Sequence, residues 1–172
     1  MPRYGIYGLI WLLLNGCLFS NQEKSKPPAA EQSLARMKTV YGDIIIKFYT
    51  DKAPITSQRI IHLVRSGFYN GLPFHRVVPN FIIQTGDPTQ TGEGGSGQNI
   101  PLEPNQITHS RGTVSMARDE SDPNSADSQF FICLQADQSL NGRYTAFAQV
   151  VRGDEILNKI KQGDKIITMT ME

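Results

Sequence analysis

In the stretch FHRVVPNFIIQTGD, Phe74 to Asp87, an otherwise apolar run carries His75 and Arg76 at its head and Gln84 near its end. Polar groups so placed need hydrogen-bond partners if buried and face a ligand if exposed. A guanidinium offers several donors in a rigid fork and keeps its proton, whereas a carboxamide both donates and accepts. Set beside Phe81 and Ile82, such a pair suits chemistry in which a polar atom is held against an apolar group. His75 invites a different assignment, a general base titrating near neutrality. Nucleophile and metal chemistry have less to work with. The only cysteines are Cys17 and Cys133, too few for a disulfide scaffold or a four-cysteine zinc site. Cys133 falls in the middle of an expected strand and reads as a small core residue.

These side chains need a frame. MKTVYGDIIIKFYT (Met37 to Thr50) has two β-rich runs around Gly42-Asp43 and predicts a hairpin. APITSQRIIHLVRSGF predicts a helix, with Pro54 near its start, Ile60, Leu63 and Val64 on one face and Gly67 as the stop. His62 is expected at its solvated boundary. Strands are expected at Phe81 to Thr85, Gly112 to Arg118, Gln129 to Gln135, Thr145 to Val151 and Ile166 to Met171. DEILNKIKQ predicts a second helix, with Asp154 and Glu155 at its positive end and Gly163 after it. Many short strands and only two helices predict a mainly β barrel capped by helices. The chain has 172 residues, enough for about one domain. Its 17 Lys and Arg balance 16 Asp and Glu, so no field of one sign points to nucleic acid. A hydrophobic content of 39% with 15 Gly and 10 Pro suits a loop-rich globular domain.

One motif is a decoy. GEGGSG, Gly92 to Gly97, matches the G-x-G-x-x-G dinucleotide fingerprint, which requires a helix to start at once so that its N-terminus holds the pyrophosphate. Here QNIPLEPNQ follows, and Pro101 and Pro104 break any helix. A flexible surface loop is expected.

The second segment with chemical content is SMARDESDPNSADSQFFICL, Ser115 to Leu134. Together, FHRVVPNFIIQTGD, the GEGGSG loop and SQFFI resemble the cyclophilin family of peptidyl-prolyl cis-trans isomerases, over about Met37 to Glu172. The resemblance implies a closed eight-stranded antiparallel barrel with a helix over each open end, and an enzyme needing neither metal nor cofactor. The residue types fit that chemistry. Rotation about an X-Pro bond faces a barrier of roughly 20 kcal/mol because the amide nitrogen shares its lone pair with the carbonyl. In the twisted transition state that lone pair is localised, and a fixed donor aimed at it binds this state better than either planar form.

Carried over by position, the resemblance places the catalytic arginine on Arg76 and the proline slot on Phe81, Ile82, Phe131 and Leu140. Gln84 falls on the glutamine that orders Arg76 and the substrate backbone, and Gln129 on a second pocket glutamine. Ala117 and Arg118 match a strand edge whose backbone pairs with the bound peptide, an arrangement indifferent to the side chain of Arg118. Ile82 replaces a commoner Met, Tyr144 replaces a pocket histidine, and Ser139 stands where Trp is frequent, although bacterial members also lack that Trp. Loss of the indole predicts weak cyclosporin binding with activity kept. Because isomerisation transfers no proton, His75 is expected to be a buried structural residue. His109, in a loop before a strand, is expected to do nothing special. A proline-peptide scaffold or a surface-exposed interaction lipoprotein with incidental turnover is the alternative function.

The N-terminus reads apart from this domain. MPRYGIYGLIWLLLNGC carries Arg3 and then an apolar stretch from Ile6 to Leu14. That is about half of the roughly 20 residues a bilayer span needs and fits the apolar region of a secretory signal. Leu14 to Cys17 resemble a bacterial lipobox, although Asn15 is less usual than Ala, Ser or Thr at that position. Residues 1–16 are expected to be a signal peptide, Cys17 the lipidated terminus, 17–36 a flexible tether and 37–172 the isomerase domain. An ordinary cleaved signal, or an uncleaved anchor running on through Leu18 and Phe19, remains open. Acyl chains on Cys17 would hold the protein at a membrane. Leu18, where Asp would favour the inner membrane, leans towards the periplasmic face of an outer membrane or the cell surface. The expected partners are proline-containing polypeptides, met as a monomer.

Overall fold

The computed structural model describes Met1 and residues 33–172, so the expected signal peptide, the lipobox with Cys17 and most of the expected tether lie outside the described residues. In β1 (Leu34–Thr39) Ala35, Met37 and Thr39 are buried and Arg36 and Lys38 exposed, the period of two that a half-buried strand requires. It pairs antiparallel with β2 (Gly42–Phe48), from Leu34 opposite Lys47 to Thr39 opposite Gly42, which is the expected hairpin. Leu34, Ala35 and Arg36 therefore belong to β1 and not to the tether expected through residue 36. The fully buried Ala35 pins them there.

The helix α1 (Pro54–Arg65) has its proline at the first turn, where a missing N–H is harmless, and buries Ile60, Leu63 and Val64. Gly67 follows at φ +75°, and His62 is exposed, both as expected. Ala53 has no side chain with which to cap this helix. Glu103 does so from a distant loop, accepting from the backbone N–H groups of Ile55 (3.0 Å) and Thr56 (2.7 Å).

The remaining elements are β3 (Arg76–Val78), β4 (Ile82–Thr85), β5 (Thr113–Met116), β6 (Phe130–Cys133), a 3-10 turn (Gln138–Leu140), β7 (Ala146–Arg152), α2 (Asp154–Leu157) and β8 (Thr168–Met171). The strand β3 was not expected as a separate element. The helix α2 is a single turn and does not reach Gln162, because Lys159 donates to Ile156 O (2.8 Å), a tightened contact that closes the turn.

All eight strands form one antiparallel sheet in the order β3-β4-β6-β5-β7-β2-β1-β8. It is a curled half-barrel, a correction to the closed barrel expected. The edge strands β3 and β8 do not pair with each other. Their flanks meet instead, through a bridge between Pro73 and Lys165 and backbone bonds from Phe74 N to Asp164 O (2.8 Å), Gly163 N to Phe74 O (3.0 Å), Ile166 N to Leu72 O (2.9 Å) and Gly71 N to Ile166 O (2.7 Å). Pro79, directly after β3, has no N–H to donate and ends the strand on that side.

The concave side holds the main core, in which Tyr69, Phe130, Phe147 and Phe48 make successive ring contacts with centroids 5.4–6.2 Å apart. The convex side of β4 and β6 carries a separate cluster of Ile82, Phe131, Cys133 and Leu140. Strand alternation divides the two. Ile83, Thr85, Phe130 and Ile132 point inward, while Ile82, Gln84, Phe131 and Cys133 share the outer face. Cys133 is 1% exposed and burial pushes its thiol up to about 12, in keeping with a packing residue.

Candidate active site

The register of β3, β4 and β6 sets out the first half of the site. Arg76 lies opposite Gln84, and Gln84 opposite Phe131, so guanidinium, carboxamide and ring share one face. Arg76 Nη1 donates to Gln84 Oε1 (3.2 Å), Gln84 Nε2 donates to Gln129 Oε1 (2.9 Å), and Gln129 Nε2 donates to the carbonyls of Gly92 and Gly94 (2.8 Å each). Each amide accepts at oxygen and donates at nitrogen, so the relay fixes both orientations. Arg76 is exposed, makes no salt bridge among the described residues, and has further donors beyond the one on Gln84.

Beside it opens a groove of about 480 Å³, lined by Phe81, Ile82, Phe131, Leu140 and Tyr144 on its apolar side and by Arg76, Gln84 and Arg118 on its polar side. The volume lies in the range of small-molecule sites. Phe131 meets Tyr144 edge to face at 5.7 Å. An adjoining groove of about 470 Å³ shares Gln84, Ala117 and Arg118 and runs past Gln129 and the loop at Gly92 to Gly95. The structure thus brings every residue expected at the site, apart from Cys17 outside the described residues, to one continuous channel.

The second half is built from loops. Ala117 and Arg118 follow the end of β5, and Ala117 N donates to Gln129 O (2.9 Å). The Arg118 side chain has contacts of its own, which the expectation about its backbone did not address. Its guanidinium sits 4.9 Å from the Tyr144 ring centre, and it donates to Arg143 O (2.9 Å), Asp119 O (2.6 Å) and Glu120 O (3.2 Å).

His109 also departs from expectation. It is fully buried, its ring stacked 6.2 Å from Phe131 at an interplanar angle of 22°. Asn141 Oδ1 takes the backbone N–H of His109 (2.8 Å) and lies 3.0 Å from Nδ1, while Nε2 lies 3.0 Å from Ser115 Oγ. An acceptor facing Nδ1 requires the proton there, and Nε2 then accepts from the serine hydroxyl. Burial lowers the His109 pKa, which keeps this neutral form, while Asn141 and Asp137 oppose that shift. The imidazole therefore backs the slot and ties β5 to the loop bearing Leu140 and Tyr144. No local signal announced it, since its partner Asn141 is 32 positions away.

His75 is half-buried, and neither ring nitrogen has a hydrogen-bond partner. Burial is the main cause lowering its pKa, and Arg76 adds to it, against the pull of Asp87 and the nearby Gln129 amide, which does not reach hydrogen-bond geometry.

The Gly92 to Gly97 loop carries no helix, so the dinucleotide match fails as expected, but the loop is tied down. Asp87 takes Gly92 N (2.6 Å) and Thr89 N (2.7 Å), and Asp127 takes Gly97 N (2.7 Å). A Cβ at Gly94 would stand 2.0 Å from Asp87 Oδ1, and one at Gly95 2.3 Å from Asp127 Oδ2, so the glycines permit the carboxylates to approach. Burial pushes the Asp87 pKa up, yet the donors from Thr89, Gly92 and Gly94 outweigh it and leave it lowered.

Comparison with known proteins agrees with this geometry. A family described as "Cyclophilin type peptidyl-prolyl cis-trans isomerase/CLD" matches residues 34–170. A peptidyl-prolyl cis-trans isomerase of Synechococcus elongatus is 39% identical over 137 residues, spanning 78% of this chain and 93% of that protein. A probable peptidyl-prolyl cis-trans isomerase of Brucella abortus is 40% identical over 159 residues, spanning 79% and 81%. The crystal structure of a Cryptosporidium parvum cyclophilin, obtained in the presence of the dipeptide Ala-Pro, superimposes with a TM-score of 0.75 at 32% identity, covering 81% of this chain and 98% of that one. With the match spanning the sheet, both grooves and the amide relay, the chain belongs to the cyclophilin-type peptidyl-prolyl cis-trans isomerases.

Proposed function

We propose that Arg76 is the catalytic donor of this isomerase and that the Ile82, Phe131 and Leu140 slot grips the substrate proline. The carrying observation is the exposed guanidinium, oriented through one bond to Gln84 and placed at the edge of an apolar groove. With the ring held, the preceding carbonyl swings and the prolyl nitrogen loses conjugation. A donor from Arg76 then meets the lone pair that appears only in the twisted state. Gln84 and Gln129 keep the fork aimed, so little reorganisation is needed as the bond turns. No proton is transferred, and the neutral His75 beside Arg76 has no part in the step. The Ala-Pro dipeptide present with the Cryptosporidium relative supports proline peptides as ligands of this groove.

Removing a single such donor is worth about 10²–10³-fold. Arg76→Ala is therefore expected to lower kcat/KM on a short Ala-Pro peptide by that factor while leaving the unfolding midpoint in place. Rates within twofold of each other would remove Arg76 from catalysis. A proline-binding scaffold, by contrast, needs the slot but no donor at the nitrogen.

The same proposal places the enzyme, as a monomer, at a membrane face, where it assists folding of exported polypeptides. Support comes from the sequence alone, from the apolar Ile6 to Leu14 stretch and the lipobox-like Leu14 to Cys17. Cells expressing the full chain and grown on labelled palmitate should yield labelled protein, and Cys17→Ser should abolish the label. Unlabelled wild type, or label persisting in the variant, overturns the anchor.

A further inference from the structure

The two halves of the channel carry opposite charge. Among the residues lining the proline groove are three arginines, Arg76, Arg118 and Arg143, and one acidic residue, Glu120. Around the adjoining groove stand Glu93, Asp119 and Asp127 against Arg118, which borders both. The whole chain is nearly neutral, at +1, so this separation is local. None of the three guanidiniums is in a salt bridge among the described residues. Arg118 is also rigid, stacked on Tyr144 and held by three backbone carbonyls. Its position between the grooves therefore fixes where the sign changes. Asp127 is partly neutralised by Arg59 (3.7 Å), which leaves Glu93 and Asp119 as the open charges of the acidic side.

From this geometry we infer that the enzyme selects substrates by the order of charge about the proline, an acidic side chain on the side of the arginine-lined groove and a basic one on the side of the adjoining groove with Glu93. The inference rests on the channel being the isomerase site and names its substrate class. A polypeptide crossing the channel in one direction meets complementary charge on both sides of the proline, and in the other direction meets like charge twice. Exposed pairs are individually weak, and two acting together give a preference of about fivefold at low ionic strength. Being solvent-facing, the preference fades as salt shortens the screening length.

The test uses three peptides of equal length, one with alanines around the Ala-Pro, one with Glu before and Lys after, and one with those charges exchanged. The charged pair has identical composition and net charge, so only order distinguishes them. The expected result is a kcat/KM ratio of about fivefold between the two orders at low salt. It should shrink towards unity in high salt and in the charge-reversal variants Arg143→Glu and Glu93→Lys, each normalised to the alanine peptide. Equal rates for both orders with the alanine peptide still turned over overturn this inference alone. A preference that survives salt and both variants overturns it as well. Failure to turn over any of the three peptides would sink the isomerase reading beneath it.

Discussion

The strand-built side of the channel, with Arg76, Ile82, Gln84 and Phe131 on β3, β4 and β6, is held by ladder register. The loop-built side, with Arg118, Leu140 and Tyr144, is held by side chains, among them His109 on Asn141 and Ser115 and Arg118 on three carbonyls. The register survives most single substitutions, because its bonds come from the backbone. A side-chain network has single points of failure. Mutations of the polar strand-side residues Arg76 and Gln84 should therefore change turnover with little change in stability, and mutations on the loop side should change stability and substrate affinity together.

Phe131 is where the two sides meet, since it floors the slot, stacks on His109 and touches Tyr144. Phe131→Ala should produce the largest effect, a loss of about 3–5 kcal/mol of stability together with a raised KM. Urea unfolding checks the first and steady-state rates the second. A stable variant with unchanged KM would show that the sides are independent and that the comparison is misdrawn.

A sharper separation comes from one variant on each side. Asn141→Ala leaves the buried His109 donors without their acceptor and unties the Leu140 loop, a loss of about 1–3 kcal/mol with a raised KM. Gln84→Leu breaks the relay between Arg76 and Gln129 and should lower kcat about tenfold with stability changed by less than about 1 kcal/mol. If both variants move KM and stability alike, the distinction between ladder and network fails.

The same distinction explains what could be read from the sequence. IIQT and FFIC are buried almost throughout, so as isolated strands Ile82 and Phe131 read as core, and only the resemblance assigned them to the slot. The hairpin and the apolar face of α1 were legible from local pattern. Glu103 on α1, Asp127 under the glycine loop and His109 behind the slot were not. Their partners lie 29 to 48 positions away and no periodicity links them. Non-closure of the sheet was hidden for a related reason. The resemblance implied a closed barrel, whereas β3 and β8 remain the two edges of the sheet and only the segments beside them pair. The length of α2 was misjudged because DEILNKIKQ continues apolar spacing past Leu157, although the backbone turns at Lys159.

The smallest expected effect is one of pH, and it again separates the sides. His75 beside Arg76 and His109 behind Phe131 both have lowered pKa values in the folded chain, in each case mainly through burial. The unfolded chain, with histidines near the ordinary 6.5, therefore takes up more protons as pH falls, and stability falls with it. The loss begins near pH 7 and levels off once pH passes below the folded values. Above it, both states are neutral and stability from this source is full. Asp87, also lowered, adds a separate loss as pH falls through the ordinary carboxylate range. Thermal unfolding of wild type and His109→Gln from pH 8 to 5 apportions the first window. The variant should keep only the part of the slope due to His75, whereas an unchanged slope would mean that protonation of the loop side is not resisted by the fold. Turnover of the neutral Ala-Pro peptide should stay flat between pH 7 and 9, since neither imidazole gains a proton there. An inflection in that range would bring a titrating group into the catalytic step and end the assignment to Arg76.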